Sequence, residues 1–153
     1  MSPVPPQVEH RPPGRPRREI EDRLAIRDVL EAYAFGLDER DFAAVQGAFT
    51  DDAALDYTAL GGWSGTPAEV IPRIEETLKT FPVCQHHLTN CRIRVSGDTA
   101  TANTYLWNPL AMEGGANMLF VGARYDDELV RTDDGWRISR RTLVSSNATP
   151  VGG

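Results

Sequence analysis

Two adjacent histidines offer the clearest chance of acid–base chemistry in this sequence. They occupy positions 86 and 87 in the segment Cys84-Gln85-His86-His87-Leu88-Thr89-Asn90. On a β-strand, alternation places His86, Leu88 and Asn90 on one face and His87 on the other. Leu88 makes the first face the better candidate for the interior. A partly buried, neutral imidazole at His86 could then act as a general base near pH 7, although a lone histidine on a strand is more often structural.

Two more groups lie near the end of the first predicted helix. Tyr33 belongs to its apolar stripe, where a phenol usually packs in the core and finds one hydrogen-bond partner. Asp38 lies at the C-terminal end, where a carboxylate opposes the helix dipole unless another group compensates. The two positions are separated by about 140° around an ideal helix. The side chains of Tyr33 and Asp38 can therefore reach one site only if the last turn of the helix is distorted or the cavity is broad.

Apolar periodicity identifies the helices that must position these residues. A stripe of apolar residues predicts a first helix from Glu19 to about Asp38, built on Ile20, Leu24, Ile26, Leu30, Tyr33 and Leu37. Asp41 is predicted to cap a second, short helix whose inward residues are Phe42, Val45 and Phe49. Thr66 is predicted to cap a third helix that runs to about Thr80, with Pro67 at its first position.

The rest of the domain reads as strands, predicted at 53–58, 83–95, 99–112, 118–132 and 136–146. Short turns such as Ser96-Gly97-Asp98 favour hairpins. The fold class is therefore α+β. A curved, cone-shaped antiparallel or mixed sheet should wrap around three N-terminal helices and enclose a pocket.

Composition limits the classes of function. Hydrophobic residues make up 41% of 153 residues, which fits a single globular domain. The net charge of −6 argues against nucleic-acid binding, and no apolar run reaches the ~20 residues that cross a bilayer. The two cysteines are not expected to pair, and the N-terminus lacks a signal-peptide pattern, so a cytoplasmic location is expected. Residues 1–18 are predicted to form a disordered Pro/Arg-rich arm, 19–147 the domain and 148–153 a flexible tail.

Several motifs together resemble a SnoaL-like domain of the nuclear transport factor 2-like superfamily. They are Ile26-x6-Tyr33-x4-Asp38-x2-Asp41, Phe49-Thr50-Asp51-Asp52-Ala53, His86-x3-Asn90 and Arg131-x3-Gly135-Trp136-Arg137-Ile138. The similarity spans about Glu19 to Ser146. The Phe-Thr-Asp-Asp and Gly-Trp-Arg-Ile segments are common across the superfamily and indicate fold. Tyr33, Asp38 and His86 are more specific, and resemble the site of dehydratase and dehydrochlorinase members.

The resemblance implies a lyase that catalyses an elimination without a metal or organic cofactor. His86 would take a proton from carbon, Asp38 would orient and stabilise the imidazolium, and Tyr33 would donate to a carbonyl or departing oxygen. Tyr57 matches a pocket tyrosine of a dehydratase member. The expected substrate is a small, largely apolar cyclic molecule such as a steroid, polyketide or terpenoid. Its predicted binding residues are Tyr57, Trp63, Asn90, Trp107, Phe120 and Tyr125.

Other functions remain open at this stage. The same residues could serve an isomerase or a cyclase, because fold is a poor guide to reaction. A binding module without catalysis would keep the pocket, and a structural protein like the small subunit of ring-hydroxylating dioxygenases would keep only the fold. Self-association as a dimer or trimer is expected from the resemblance, with a small molecule as the other partner and no nucleic acid or membrane.

Overall fold

The computed structural model describes residues 17–112, 114 and 117–148. The predicted arm therefore falls outside the described residues, except for Arg17 and Arg18, which begin the first helix. All of the predicted tail after residue 148 also lies outside them. The predictions of disorder at the two ends stay predictions.

Among the residues that the structure describes, three α-helices lie before residue 80: α1 (Arg17–Glu39), α2 (Phe42–Gly47) and α3 (Pro67–Leu78). The buried stripe of α1 contains Ile26, Leu30, Tyr33 and Leu37. The first part of the predicted stripe was wrong: Ile20 and Leu24 are 48% and 60% exposed, so they do not belong to the buried face of α1. Asp22 is buried there instead, and it accepts a hydrogen bond from the indole of Trp136 at 3.2 Å.

The junction between α1 and α2 depends on a close backbone approach. A β-carbon at Gly36 would lie 2.9 Å from Val45 Cγ2 and 3.0 Å from the carbonyl oxygen of Asp41. Only glycine therefore lets α2 pack against the last turn of α1. The Asp41 carboxylate caps α2 as predicted, accepting from the backbone N–H of Ala44 at 3.0 Å. This junction brings the chain around directly after Asp38.

In the described part of the chain, seven strands form one sheet: β1 (Phe49–Asp56), β2 (Ser64–Gly65), β3 (Val83–Cys84), β4 (His87–Ser96), β5 (Thr99–Ala111), β6 (Met118–Thr132) and β7 (Gly135–Ala148). The strand order is β2-β1-β7-β6-β5-β3, and β4 also pairs with β5. Strands β1 and β7 are parallel, and the other pairs are antiparallel. The sheet is strongly curled into a half-barrel around the helices. The predicted α+β, cone-like fold is confirmed.

Two local predictions about the strands were wrong. Phe49 begins β1 and does not belong to the second helix. The strand predicted at 83–95 is interrupted between β3 and β4, at Gln85 and His86. The backbone N–H of His86 donates to the Asp38 carboxylate at 2.9 Å, in place of a ladder hydrogen bond. The interruption therefore lies where the sheet meets the end of α1.

The inner face of the sheet and the buried sides of the helices form one apolar core. It includes Leu55 of β1, Leu106 of β5, Leu129 of β6 and Ile138 of β7. None of the helices in the described part of the chain is long and apolar enough to span a membrane.

Candidate active site

The imidazole of His86 is bound to the carboxylate of Asp38. His86 Nδ1 lies 2.6 Å from Asp38 Oδ1, and the His86 side chain is 7% exposed. A carboxylate only accepts hydrogen bonds, so Nδ1 carries the donated proton, and in the neutral ring Nε2 is the nitrogen that holds the lone pair. His87 is exposed, as predicted, with Nε2 3.1 Å from Gln85 Oε1. The arrangement has the geometry of a general base with an orienting carboxylate.

Hydrogen bonds compensate the unfavourable position of Asp38 at the end of α1. Its carboxylate accepts from the ring and backbone of His86 and, at 3.5 Å, from the Cys84 thiol. Burial acts to raise the pKa of Asp38, but the hydrogen bonds from His86 outweigh it, so its pKa is lowered. Asp38 is therefore ionised at neutral pH.

Arg40 reinforces the turn that follows Asp38. Its backbone is left-handed, with a φ of 63°. Its guanidinium donates to the carbonyls of Leu37 at 2.8 Å and Phe81 at 2.7 Å, and lies 3.0 Å from Cys84 Sγ. One arginine thus connects the ends of α1 and α3 to the beginning of β3. Its guanidinium adds hydrogen bonds to a carbonyl group in the last turn of α1 and to another in the segment after α3.

An inner cavity of about 190 Å³ begins on the other side of the His86 ring. Its walls are mostly apolar, and polar groups come from His86, Asn108 and a set of tyrosines. The structure places four of the predicted site residues here, in addition to His86: Tyr33, Tyr57, Trp63 and Tyr125. Asp38 does not line this cavity. It borders an outer groove formed by Glu31, Ala34, Phe35, Asp38, His86, His87, Leu88 and Thr89.

Three tyrosines meet in the inner cavity. The hydroxyls of Tyr33 and Tyr57 are 2.8 Å apart, and the rings of Tyr33 and Tyr125 pack edge to face at 5.9 Å. Burial, reinforced by neighbouring Tyr33, raises the pKa of both Tyr57 and Tyr125 well above its usual range. Both hydroxyls therefore stay protonated and can act as hydrogen-bond donors. The position of Tyr33 agrees with the expected convergence on a cavity shared with His86.

A buried ion pair behind the tyrosines was not found from the sequence. Arg141 Nε and Nη2 lie 2.7 and 2.8 Å from the Asp127 carboxylate, and the Arg141 guanidinium carbon is 4.2 Å from the Tyr33 ring centre and 4.0 Å from that of Tyr125. Burial opposes the charge on Arg141, but Asp127 more than compensates, so the pKa of Arg141 is raised. Burial also raises the pKa of Asp127 in spite of Arg141. The two short contacts to a permanently charged guanidinium favour an ionised Asp127.

Asn108 was also missed. It lines the inner cavity, is 6% exposed, and its Nδ2 lies 3.0 Å from His86 Nε2. Strand alternation could have found it, because Asn108 shares its face of β5 with buried Leu106 and Leu110.

Three predicted binding residues lie outside the inner cavity. Asn90 is exposed because β4 carries an irregularity between Leu88 and Cys91, which breaks the alternation with His86. Trp107 is 47% exposed and stacks on Phe120, with ring centres 5.5 Å apart, on the outer face of the sheet. The predicted positions of these three side chains were therefore wrong.

One cluster of metal-ligating side chains occurs among the described residues: Asp38, Cys84 and His86, whose ligand atoms lie within 4.8 Å of one another. Arg40 places a permanent positive charge 3.0 Å from Cys84 Sγ. Burial acts first to raise the pKa of this thiol, and its pKa is raised despite Arg40. A neutral thiol beside a guanidinium is a poor metal ligand. The contacts are those of a hydrogen-bonded chain.

Curated proteins are similar in sequence to most of this chain. An uncharacterized protein of Mycobacterium tuberculosis is 44% identical over 124 residues, which is 80% of this chain and 84% of that protein. The gamma-hexachlorocyclohexane dehydrochlorinase of Sphingobium indicum is 26% identical over 137 residues, which is 88% of this chain and 86% of the enzyme. The relatives thus include a lyase.

Solved structures share the fold. A protein of Novosphingobium aromaticivorans assigned as an aromatic ring hydroxylase has a TM-score of 0.77 and 32% identity, covering 85% of this chain and 94% of that one. Another from the same species, assigned as a scytalone dehydratase, has a TM-score of 0.76 and 20% identity, covering 88% and 96%. At that identity the second likeness supports the fold alone. The family model for the SnoaL-like domain matches residues 18–142, and the chain belongs to this family.

Proposed function

We propose that this protein is a lyase that eliminates a leaving group from a small cyclic substrate without a cofactor. The proposal depends mainly on one observation: a buried imidazole has Nδ1 on a carboxylate and faces a largely apolar cavity. Such an imidazole can take a proton from carbon, and its carboxylate partner stabilises the imidazolium that forms.

The proposed elimination uses three residues. His86 Nε2 takes the proton, and the C–H electron pair becomes the second bond of a C=C double bond. The leaving group departs from the neighbouring carbon with its bonding pair. Tyr33 donates a hydrogen bond to the departing oxygen or to a carbonyl that gains negative charge. If His86 instead returned the proton to another carbon, the same site would act as an isomerase.

A binding module without catalysis is the second candidate, because a specific contact favours it. Asn108 Nδ2 lies 3.0 Å from His86 Nε2, the nitrogen that would have to accept the proton. A lone pair that already accepts an amide N–H is not available to take a proton from a substrate. The cavity could therefore hold a ligand without reacting with it.

The test is turnover by the wild type and by His86→Ala on a panel of monocyclic β-hydroxy ketones and γ-hexachlorocyclohexane, with alkene products detected by mass spectrometry. We expect the wild type to form product and His86→Ala to lose about 10²–10⁴-fold in rate. Binding of a panel compound without product formation would favour the second candidate.

The neighbouring His87 provides a matched control. It is exposed and bonds Gln85, so His87→Ala should keep turnover and melting temperature close to wild type. A rate that survives in His86→Ala, or that falls equally in both variants, would contradict the assignment of the base.

We also propose that the protein self-associates through the outer face of its sheet. The stacked pair Trp107 and Phe120 lies there, with Tyr105 45% and Met118 44% exposed. Exposed apolar patches of this kind favour protein contacts. Trp107→Lys should yield monomers in analytical ultracentrifugation, whereas Thr101→Lys, exposed on the same strand, should not. A wild type that is monomeric at high concentration would overturn this proposal.

A further inference from the structure

Asn108 has a hydrogen-bonding atom that the protein does not use. Its Nδ2 pairs with His86 Nε2 at 3.0 Å, while its Oδ1 is buried without a hydrogen-bond partner in the described part of the chain. The direction of the amide follows from the dyad. In a neutral ring whose Nδ1 proton is donated to Asp38, Nε2 can only accept, and the amide must present N–H to it.

This orientation of the Asn108 amide is energetically unfavourable. A buried carbonyl oxygen without a donor has lost its water without compensation. Turning the amide would pair Oδ1 with the ring only if Nε2 carried a proton. The neutral His86 therefore leaves the Asn108 oxygen unpaired.

The same contact occupies the base. The amide N–H lies on the lone pair of Nε2, where a substrate C–H would have to approach for proton transfer. His86 is therefore oriented by Asp38 but covered by Asn108. The Asn108 amide must therefore move before His86 Nε2 can take a proton from a substrate.

We propose that Asn108 recognises a hydrogen-bond donor on the substrate, and that this contact uncovers His86. A ligand hydroxyl donates to Asn108 Oδ1. Because Oδ1 is buried, the amide has to turn to meet the hydroxyl, and the turn removes N–H from Nε2. The inference deepens the proposed elimination and rests on it. It assigns the substrate to molecules that carry a hydroxyl beside the carbon that loses its proton.

The size of the inner cavity narrows the substrate further. Its volume is about 190 Å³. An engineered apolar cavity of about 150 Å³ in another protein accommodates benzene. The walls near Asn108 are apolar, including Leu106, Leu110 and Val121. The ligand class is therefore a single ring with few substituents, one of them a hydroxyl, and not a fused four-ring system.

A matched pair of probes tests this assignment. Phenol and its methyl ether, anisole, each contain one ring, but only phenol can donate a hydrogen bond. We expect the wild type to bind phenol about three- to tenfold more tightly than anisole in calorimetric or NMR titrations. Asn108→Leu keeps the approximate shape of the side chain and removes its acceptor, so this variant should bind phenol and anisole about equally.

The control is Asn103→Leu. Asn103 lies on the same strand but donates to Asp126 on the outer side, so this variant should keep the wild-type preference for phenol. If Asn108→Leu keeps it too, the hydroxyl is bound by another group and the proposal is overturned. Should Asn108→Leu fail to fold, Asn108→Ala carries the same comparison.

The covering of His86 is tested by its reaction with diethyl pyrocarbonate. In a His10→Gln/His87→Gln background, His86 is the remaining histidine of the three in the sequence. We expect Asn108→Leu to raise the rate of its modification severalfold over the background protein, because Nε2 is then uncovered. An unchanged or lower rate would contradict the covering.

The two proposals can fail separately. The probe preference is an equilibrium measurement and requires no turnover. A phenol preference that depends on Asn108, together with no elimination product from any substrate, would overturn the lyase and keep the recognition. Turnover that depends on His86, together with equal binding of both probes, would overturn the recognition alone.

Discussion

Asp38 accepts two hydrogen bonds from the same residue, His86: one from the ring at 2.6 Å and one from the backbone N–H at 2.9 Å. The first determines which ring nitrogen carries the proton. The second holds the backbone where the sheet is interrupted between β3 and β4. Because one carboxylate performs both tasks, the orientation of the imidazole and the path of the chain are coupled.

Replacing Asp38 with asparagine separates charge from shape. Asp38→Asn can present its NH₂ group to Nδ1 and so favour the wrong tautomer of His86. We expect turnover to fall by about 10²–10⁴-fold with the fold retained. Glu39→Gln, which removes an exposed acid next to it, should stay within twofold of wild type. Near-wild-type rates in Asp38→Asn would contradict the role of the carboxylate.

The same residue should make stability depend on acid pH. The pKa of Asp38 is lowered in the folded protein, because hydrogen bonds from His86 outweigh the effect of burial. A lowered pKa means that its stabilising contribution is present above the unfolded value, near 4, and is lost as pH falls through the folded value. In urea unfolding, the wild type should have a higher free energy of unfolding than Asp38→Asn, and this difference should be larger at pH 6 than at pH 3. A constant difference across this range would contradict the assignment.

The sequence predicted the fold and the dyad better than the walls of the cavity. Helix periodicity placed Tyr33 inward, and its position next to the cavity followed. Regular alternation failed on β4, because three steps from Leu88 to Cys91 face two on β5, and Asn90 turned outward. A bulge has no reliable signature in one sequence, since it depends on the partner strand.

The inward position of Arg141 could not be predicted from the sequence for the same reason. Alternation from buried Trp136 and Ile138 on β7 predicts that position 141 faces outward. An irregularity opposite Glu128 and Leu129 shifts the register, so Arg141 turns inward beside Asp127. The position of Trp107, in contrast, could have been predicted, because it alternates with inward Leu106.

Removing one partner of the buried pair of Arg141 and Asp127 should strongly lower the free energy of unfolding. Both side chains are buried, with exposures of 1% and 0%. Asp127→Ala would leave an unpaired buried guanidinium, and we expect a loss of about 3–5 kcal/mol in the free energy of unfolding. Asp126→Ala, which removes a half-buried carboxylate paired with Arg124, should cost about 1 kcal/mol or less. Equal losses in urea unfolding would contradict the burial of the inner pair.

Arg40 should matter for the end of α1 more than its exposure suggests. Its guanidinium donates to carbonyls of α1 and of the segment after α3. Arg40→Met keeps the hydrocarbon stem but removes the guanidinium hydrogen bonds to these carbonyls, so we expect a loss of about 1–3 kcal/mol in the free energy of unfolding. Arg92→Met, on the exposed side of β4, provides the control and should change stability little. Circular dichroism melts of the two variants make the comparison.

Cys84 should behave as an unreactive thiol in spite of a neighbouring cation. Burial acts first to raise its pKa, Arg40 opposes this, and the pKa is raised overall. Since the thiolate is the reactive form, the thiol should react slowly at neutral pH and faster as pH rises. The variant Cys91→Ser isolates Cys84, and Cys84→Ser isolates the half-buried Cys91. With a disulfide reagent at pH 7, Cys84 should be the slower of the two. Rapid reaction of Cys84 that is independent of pH would mean that Arg40 holds it as a thiolate, and the hydrogen bond from Cys84 to Asp38 would then be absent.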